Sequence, residues 1–259
     1  MTTVRLAKRC AKKAISLCQR AWLFVHANFE CNMCHWRGRH FLSDGWHKHI
    51  ACPKCHASLR HRLLAAALQQ TGDLSTAKLV RGRDVLHFAA EPQVVAMLKP
   101  EARRYVRADL THPGADMSLD ITSMPSIKDH SFDLVIACDV LEHVQDFREA
   151  LREIRRVLAP SGCAILTVPQ KDGLATTHED STITSSRDRE KVFGQSDHLR
   201  IFGDDFPTLV TNEGFGVQSF GPESVTPDIV SRNVLVPPVL SANPLATNYR
   251  KVFFCRPKV

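Results

Sequence analysis

No apolar run in this sequence approaches the roughly 20 residues that a membrane-spanning helix needs, which excludes a transmembrane helix. A secretory leader is not expected either, because the apolar stretch at residues 22–25 is short and no small-residue cleavage site follows it. Acidic side chains are missing altogether from residues 1–26. Basic ones are concentrated there: residues 1–70 carry twelve Lys and Arg against Glu30 and Asp44, a net +10, while the whole chain of 259 residues is only +7, leaving −3 for the remainder. Such asymmetry suits contact with a polyanion, either RNA or an acidic membrane surface, and equally suits a solvated basic face. Leu6, Ile15, Leu17, Trp22, Leu23 and Phe24 punctuate the cationic positions of residues 1–28. That pattern fits an interfacial amphipathic helix, a basic transit segment, or a helix packing its Leu and Trp on the rest of the chain, the last being preferred.

Cysteine, at nine residues, is not scarce, but its arrangement argues against a disulfide scaffold. Cys31 with Cys34 and Cys52 with Cys55 form two CxxC pairs separated by residues 35–51, a spacing that reads as a structural zinc site. Each CxxC turn presents two thiolates on a tight knuckle, and two knuckles close a tetrahedral shell with no open position. A redox CxxC pair is the competing reading, and it would require a βαβ context that this region lacks. His35, His40, His47, His49, His56 and His61 crowd the same segment, each a possible substitute ligand or a surface residue; Trp36 and Trp46 read as ribbon core or as stacking platforms for bases. Cys10, Cys18, Cys138, Cys163 and Cys255 have no ligand spacing and read as small apolar residues. Zinc thiolates persist in reducing compartments, so the expected localisation is cytoplasmic.

The length and the 44% hydrophobic content suit one large globular domain plus a small appendage. Within it, residues 131–169 read as a β-α-β unit. Residues 132–137 are nearly all apolar, as in a parallel strand covered on both faces. Asp146 and Glu149 form a capping pair, and Phe147, Ala150, Leu151, Ile154, Val157 and Leu158 then recur at helical spacing. Pro160, Ser161 and Gly162 are expected to break that helix, with the next strand at residues 164–168. Ligands of open α/β sheets sit beyond the carboxyl ends of the strands, which puts Cys138, Asp139, Glu142 and His143 at a site mouth. Further strands are expected at residues 84–88, 104–108, 117–119, 217–220 and 252–255, and a helix with an early proline at 92–98. Residues 173–195, polar and without a clear period, read as a lid, and residues 221–249 are Pro-rich and give no reading.

Phe132, Asp133, Val135, Leu141, Glu142, His143, Arg156, Val157, Leu158, Pro160 and Gly162 match a strand of the form "FD-V" leading to "LEH" and a helix ending in "RVL-P-G". In this the chain resembles the class I S-adenosylmethionine (SAM)-dependent methyltransferases of the methyltransferase type 11-like kind, with Ser161 where that family usually has Gly. The turn at residues 87–92, HFAAEP, has no glycine where most of the family is glycine-rich, although "HFA-E" resembles a bacterial subgroup in which a CxxC ribbon and an "S-RHRLL" helix, here residues 58–64, precede the catalytic domain. Residues 196–202, with Gly203, Asp205 and Phe206, resemble the family's "DH-R-(Y/F)G-DF" segment.

The resemblance implies a Rossmann-like, seven-stranded α/β methyltransferase sheet, preceded by a small zinc ribbon and a basic N-terminal helix. It divides the chain into residues 1–28 (basic amphipathic segment), 29–72 (zinc ribbon and connecting helix) and 73–259 (SAM-dependent methyltransferase domain). It also implies that Ala89 and Glu91 line the methionine end of SAM, Asp109 takes the ribose hydroxyls, Asp120 with Ile121 sits at the adenine edge, and Asp139 closes the pocket. Each aspartate alternatively reads as a turn or cap residue. His198 and His143 are the candidate bases or acceptor-orienting groups, His143 also being a candidate for fastening its helix to the sheet. The expected cofactors are SAM and a structural Zn2+ on Cys31, Cys34, Cys52 and Cys55. The expected activity is methyl transfer to an undetermined acceptor, a small molecule, a glycan or RNA. The alternative is a catalytically inactive zinc-ribbon protein that binds nucleic acid or a membrane surface.

Overall fold

The computed structural model describes residues 28–43 and 49–258. The basic segment read as a helix lies outside the described residues apart from its last position, as do Cys10, Cys18, Trp46 and His47.

The described chain opens with a two-stranded ribbon, β1 (Phe29–Glu30) against β2 (Arg37–Gly38), followed by α1 (Leu59–Leu68) and the single turn α2 (Thr76–Leu79). Then come β3 (Asp84–Phe88), α3 (Pro92–Leu98), β4 (Arg104–Asp109), β5 (Met117–Ser118), β6 (Phe132–Cys138), α4 (Phe147–Val157) and β7 (Leu158–Thr167). A third segment holds β8 (His178–Glu179), α5 (Ser186–Phe193), β9 (Arg200–Ile201), α6 (Phe206–Asn212), β10 (Phe215–Phe220), α7 (Pro227–Asn233) and β11 (Val252–Pro257).

Seven strands form one sheet in the order β10-β11-β7-β6-β3-β4-β5. From β5 to β7 all neighbours are parallel, and β11 runs antiparallel to both β7 and β10. The central parallel strand β6 is nearly all apolar because both its faces are covered, whereas β4 and β5 at the edge carry polar residues and are partly exposed. On one face Leu86, Val135 and Leu166 pack with Phe147, Ala150, Leu151 and Ile154 of α4 and with Phe206 and Val210 of α6. On the other, Val85, Leu134, Ile136 and Phe254 meet Leu63, Leu64 and Leu68 of α1, Leu79 of α2, and Val94 and Leu98 of α3. The ribbon's connecting helix is therefore a layer of the main domain.

Strand β3 and helix α3 have the bounds expected from the sequence. The β-α-β unit differs in two details. Asp146 Oδ1 accepts the amides of Arg148 and Glu149, both at 3.0 Å, but Glu149 turns to Arg152 instead of reaching back to the cap. Pro160 and Gly162 lie inside β7 instead of before it; the register shifts between Phe132 and Leu134, and this irregularity accommodates a proline without a ladder hydrogen bond. Gly162 is needed there: a Cβ would stand 2.9 Å from Ala159 O and 3.0 Å from Asp133 O.

The expected lid carries a helix, α5, which the sequence pattern did not disclose; Ser185 caps its start and Gly194, at φ +94°, ends it. β8 pairs with β9, tying the lid back to the domain. Residues 221–249 contain α7, to which the ribbon is bolted by a buried arginine. Arg62 Nε donates to Asn233 O at 2.7 Å, Nη2 to Val234 O at 3.0 Å and Nη1 to Ala57 O at 2.7 Å, and its guanidinium lies 4.2 Å over the Phe41 ring. No helix among the described residues is long and apolar enough to cross a membrane.

Candidate active site and metal centre

The two CxxC turns are built alike. His35 N donates to Cys31 O and His56 N to Cys52 O, and both histidines adopt left-handed backbone, φ +56° and +57°. The knuckles face each other, with Cys31 Sγ 3.7 Å from Cys55 Sγ and Cys34 Sγ 3.6 Å from Cys52 Sγ. A tetrahedral zinc with bonds of about 2.3 Å would hold its sulfurs about 3.8 Å apart, so the donor set fits that ion. A disulfide would need about 2.0 Å. His35, His40, His49 and His56 are exposed, and none of them joins the four sulfurs.

At the carboxyl edge of the sheet, the chain leaving β3 turns through Ala89, whose φ is +46°. The left-handed conformation that glycine usually supplies is thus taken here by alanine, at a cost of order 1 kcal/mol. Glu91 follows at the start of α3. Its Oε1 is held by the Arg60 guanidinium and by His61 Nε2, while Oε2 is buried and has no hydrogen-bond partner among the described residues. Burial works to raise the Glu91 pKa, but the His61 imidazole and the Arg60 charge together hold it below the ordinary carboxylate value.

Asp139, just past β6, also has left-handed backbone, at φ +52°. Arg60 Nε approaches it at 3.1 Å, Arg250 pairs with its Oδ1, and the Thr167 hydroxyl donates to the same oxygen at 2.8 Å. Burial alone would raise its pKa; Arg250 and Arg60 outweigh that and bring it to about 2. Arg60 therefore bridges Glu91, expected at the methionine end, and Asp139, expected to close the pocket.

Asp109 and Asp120 sit farther along the same edge. Asp109 Oδ1 accepts the amides of Thr111 and His112, and Asp120 Oδ1 accepts the Thr122 amide and hydroxyl. Both thus organise their own turns. Ile121 is buried in the sheet's core.

A cavity of about 350 Å³ opens beside Asp139, lined among others by Arg60, Glu142, His143, His198 and Arg250. The lid supplies its Phe193 to Gln195 wall, the ribbon its Ile50 and Ser58 wall, and the stretch before β11 its Leu245 to Thr247 wall. His143 and His198 meet edge to face with ring centroids 4.8 Å apart, and Glu142 is buried beside them. Burial, and after it the charge on Asp139, raises the Glu142 pKa well above its ordinary value. Glu142 Oε2 and His198 Nε2 are buried without a hydrogen-bond partner among the described residues.

The fully buried Arg200 holds this loop in place, donating to Leu141 O at 2.8 Å, Val144 O at 2.5 Å and Gln145 O at 3.0 Å while pairing with Glu179 of the lid. Gly203 lets the lid pass, since a Cβ there would come within 2.7 Å of Leu174 O.

The structure thus brings Glu91 and Asp139 together through Arg60, and His143 and His198 together around Glu142. Glu91, Asp109, Asp120, Ala89 and Ile121 all lie outside the cavity's lining. Arg250 was missed: it follows a Pro-rich stretch with no periodicity, and no motif marks it. Arg60 stood in the matched "S-RHRLL" segment, but nothing in that segment indicates that it reaches the sheet edge.

Residues 81–166 match the family described as methyltransferase domain. An uncharacterized 37.1 kDa protein of Streptomyces fradiae is 31% identical over 111 residues, 42% of this chain and 32% of its own length. The chain spans 1%, 20% and 32% of the length of the curated relatives it matches. Among solved structures, the [4+2]-cyclase SpnF shares the fold at a TM-score of 0.52 and 14% identity, over 85% of this chain and 87% of that one. A SAM-dependent methyltransferase of Mesorhizobium loti aligns at a TM-score of 0.49 and 16% identity, over 77% of this chain and 100% of that one. Residues 81–166 thus match a methyltransferase domain, and the described residues have the Rossmann-like, seven-stranded methyltransferase fold with a four-cysteine cluster N-terminal to the sheet.

Proposed function

We propose that this protein is a SAM-dependent methyltransferase whose acceptor occupies the 350 Å³ cavity and whose ribbon holds a structural zinc ion. The observation that carries the reading is Glu91 Oε2, a buried carboxylate oxygen with no partner among the described residues, at the first turn after β3 of a methyltransferase domain. An orphaned buried acceptor is costly, and an ammonium group such as that of the cofactor's methionine moiety would satisfy it.

In this reading Ala89 and Glu91 hold the methionine end of SAM, Asp109 the ribose, Asp120 and Ile121 the adenine edge, and Asp139 closes the site. SAM, when bound, supplies an electrophilic methyl on a sulfonium. The chain orients the acceptor and, for a weakly acidic one, His198 or His143 takes its proton. The zinc thiolates favour a reducing, cytoplasmic setting. A small-molecule acceptor suits the cavity better than RNA, because the two guanidiniums that line it among the described residues, Arg60 and Arg250, are already paired with carboxylates.

Titration calorimetry with SAM on the zinc-loaded full chain tests this. Saturable binding that Glu91→Gln weakens at least tenfold, about 1.4 kcal/mol, is expected; no heat up to millimolar SAM overturns the reading. One observation favours a second reading, a chain that keeps the fold and transfers no methyl: Arg60 already spans Glu91 and Asp139. That reading requires the absence of SAM binding in both the wild type and Arg60→Ala.

A further inference from the structure

Glu142, His143 and His198 come from two segments of the chain, the loop after β6 and the loop after α5, and one potential ligand atom from each lies within 4.8 Å of the others. Each imidazole has one ring nitrogen committed. His143 Nδ1 lies 3.2 Å from Asp197 Oδ2, and His198 Nδ1 lies 3.1 Å from Phe193 O. Both partners are oxygens that can only accept, so in each ring Nδ1 carries the hydrogen and Nε2 presents a lone pair. His198 Nε2 is buried and orphaned; Glu142 Oε2, on a residue only 1% exposed, is orphaned beside it, and both residues line the cavity.

Histidines with Nδ1–H anchored to a carboxylate or a backbone carbonyl, offering Nε2 to one common point together with a carboxylate, are arranged as metal ligands are. Both guanidiniums lining the cavity are paired with other carboxylates, Arg60 with Glu91 and Asp139 and Arg250 with Asp139, so neither forms an ion pair with Glu142.

We propose that Glu142, His143 and His198 bind a divalent first-row transition metal whose open coordination positions face the cavity and take oxygen donors, hydroxyl or carboxylate, of the acceptor. Two imidazoles and one carboxylate select such an ion over Mg2+ or Ca2+, which prefer all-oxygen shells. Bonds of about 2.1 Å place ligand atoms about 3 to 4 Å apart, so small rotations of Glu142 and His143, now 4.0 Å apart at Oε1 and Nε2, complete the shell. Three protein ligands leave the ion open to substrate, in contrast with the closed four-cysteine ribbon. The role given to the acceptor's oxygens rests on the methyltransferase reading; the metal site does not, and while the ion is bound His143 and His198 hold it instead of serving as the acceptor's base, the ion's charge favouring loss of the proton from a bound hydroxyl.

The test uses the zinc-loaded full chain titrated with Co(II) and followed by visible absorption. Thiolate charge-transfer bands would betray cobalt entering the ribbon, whereas binding at this site gives only the weaker ligand-field bands. One equivalent of cobalt without thiolate bands is expected, with affinity reduced at least tenfold in Glu142→Gln and in His198→Gln. Should those buried variants fail to fold, His143→Gln, at an exposed position, is expected to weaken binding by a similar factor with an unchanged melting temperature. No cobalt binding up to millimolar concentration, or equal binding by wild type and by His143→Gln, overturns the site. SAM is titrated into the same protein without cobalt, so that loss of the metal site and loss of the methyltransferase reading are seen separately.

Discussion

His61 Nε2 lies 2.8 Å from Glu91 Oε1, while its Nδ1 accepts the Ser58 amide at 2.9 Å. One imidazole therefore completes the N-terminal capping box of α1, in the place usually taken by glutamate, and also clamps the candidate cofactor carboxylate. Because Nδ1 accepts, Nε2 carries the proton, and it faces the Glu91 carboxylate at 2.8 Å without the alignment of a full hydrogen bond. His61→Ala removes both functions. A loss of about 1 kcal/mol in unfolding free energy is expected from the cap, with SAM affinity reduced severalfold in calorimetry; His61→Gln, which keeps a donor, should recover part of the affinity. Unchanged SAM binding in His61→Ala would separate the clamp from the cofactor.

Metal removal should be felt at the same place. Arg60 and His61 stand on the helix that follows the second knuckle directly, so the ribbon sets where they reach the sheet. Stripping the zinc, or Cys52→Ser, is expected to lower the melting temperature and to abolish SAM binding before the main sheet unfolds, because structural zinc contributes folding free energy outright. Circular dichroism alongside SAM titration checks this. Full SAM affinity in zinc-free protein would refute the coupling.

Arg62 predicts a different kind of failure. Its guanidinium is fully buried and donates to three carbonyls, and burial, only partly offset by the nearby cysteine thiolates, pulls its pKa down to about 10. Arg62→Ala leaves Asn233 O, Val234 O and Ala57 O without that donor and opens a void against Phe41. A loss of about 3 kcal/mol or more is expected, read as a shifted denaturant midpoint and as early proteolytic release of the ribbon. A shift under about 1 kcal/mol would mean that water takes over those carbonyls.

The sheet was legible in the sequence wherever burial on both faces leaves a run of apolar residues, as in β3 and β6, and wherever punctuation is sharp, as at Pro92. The four sulfurs were legible because ligand spacing is itself local. What escaped depends on long-range reach. Arg250 lies 111 positions from Asp139, and no periodicity relates them. The α5 helix escaped because its exposed, polar surface carries little apolar pattern, only Phe193 being buried. Asp109 and Asp120 were expected at a ligand and are found organising their own turns, two roles that a carboxylate's two oxygens can serve together.

His87 yields a pH prediction with a definite sign. It is fully buried on β3, with Nδ1 2.7 Å from the Tyr105 hydroxyl, and burial lowers its pKa to about 4, an effect that the nearby Glu91 opposes and His61 reinforces. In the unfolded chain the same imidazole titrates near pH 6.5. Between those values the unfolded chain takes up a proton that the folded chain refuses, so the contribution of His87 to stability is complete above about pH 6.5 and is lost as pH falls toward 4. The whole interval amounts to order 3 kcal/mol. Glu91, held below its ordinary value, acts with the same sign at lower pH. His87→Gln removes the titration and keeps a polar partner for Tyr105, so its unfolding free energy should fall less steeply with acid, by up to one proton's worth of slope between pH ~6.5 and ~4. Denaturant titrations of both proteins across that range read the difference directly; parallel slopes would mean that the folded protein protonates His87 as readily as the unfolded chain does.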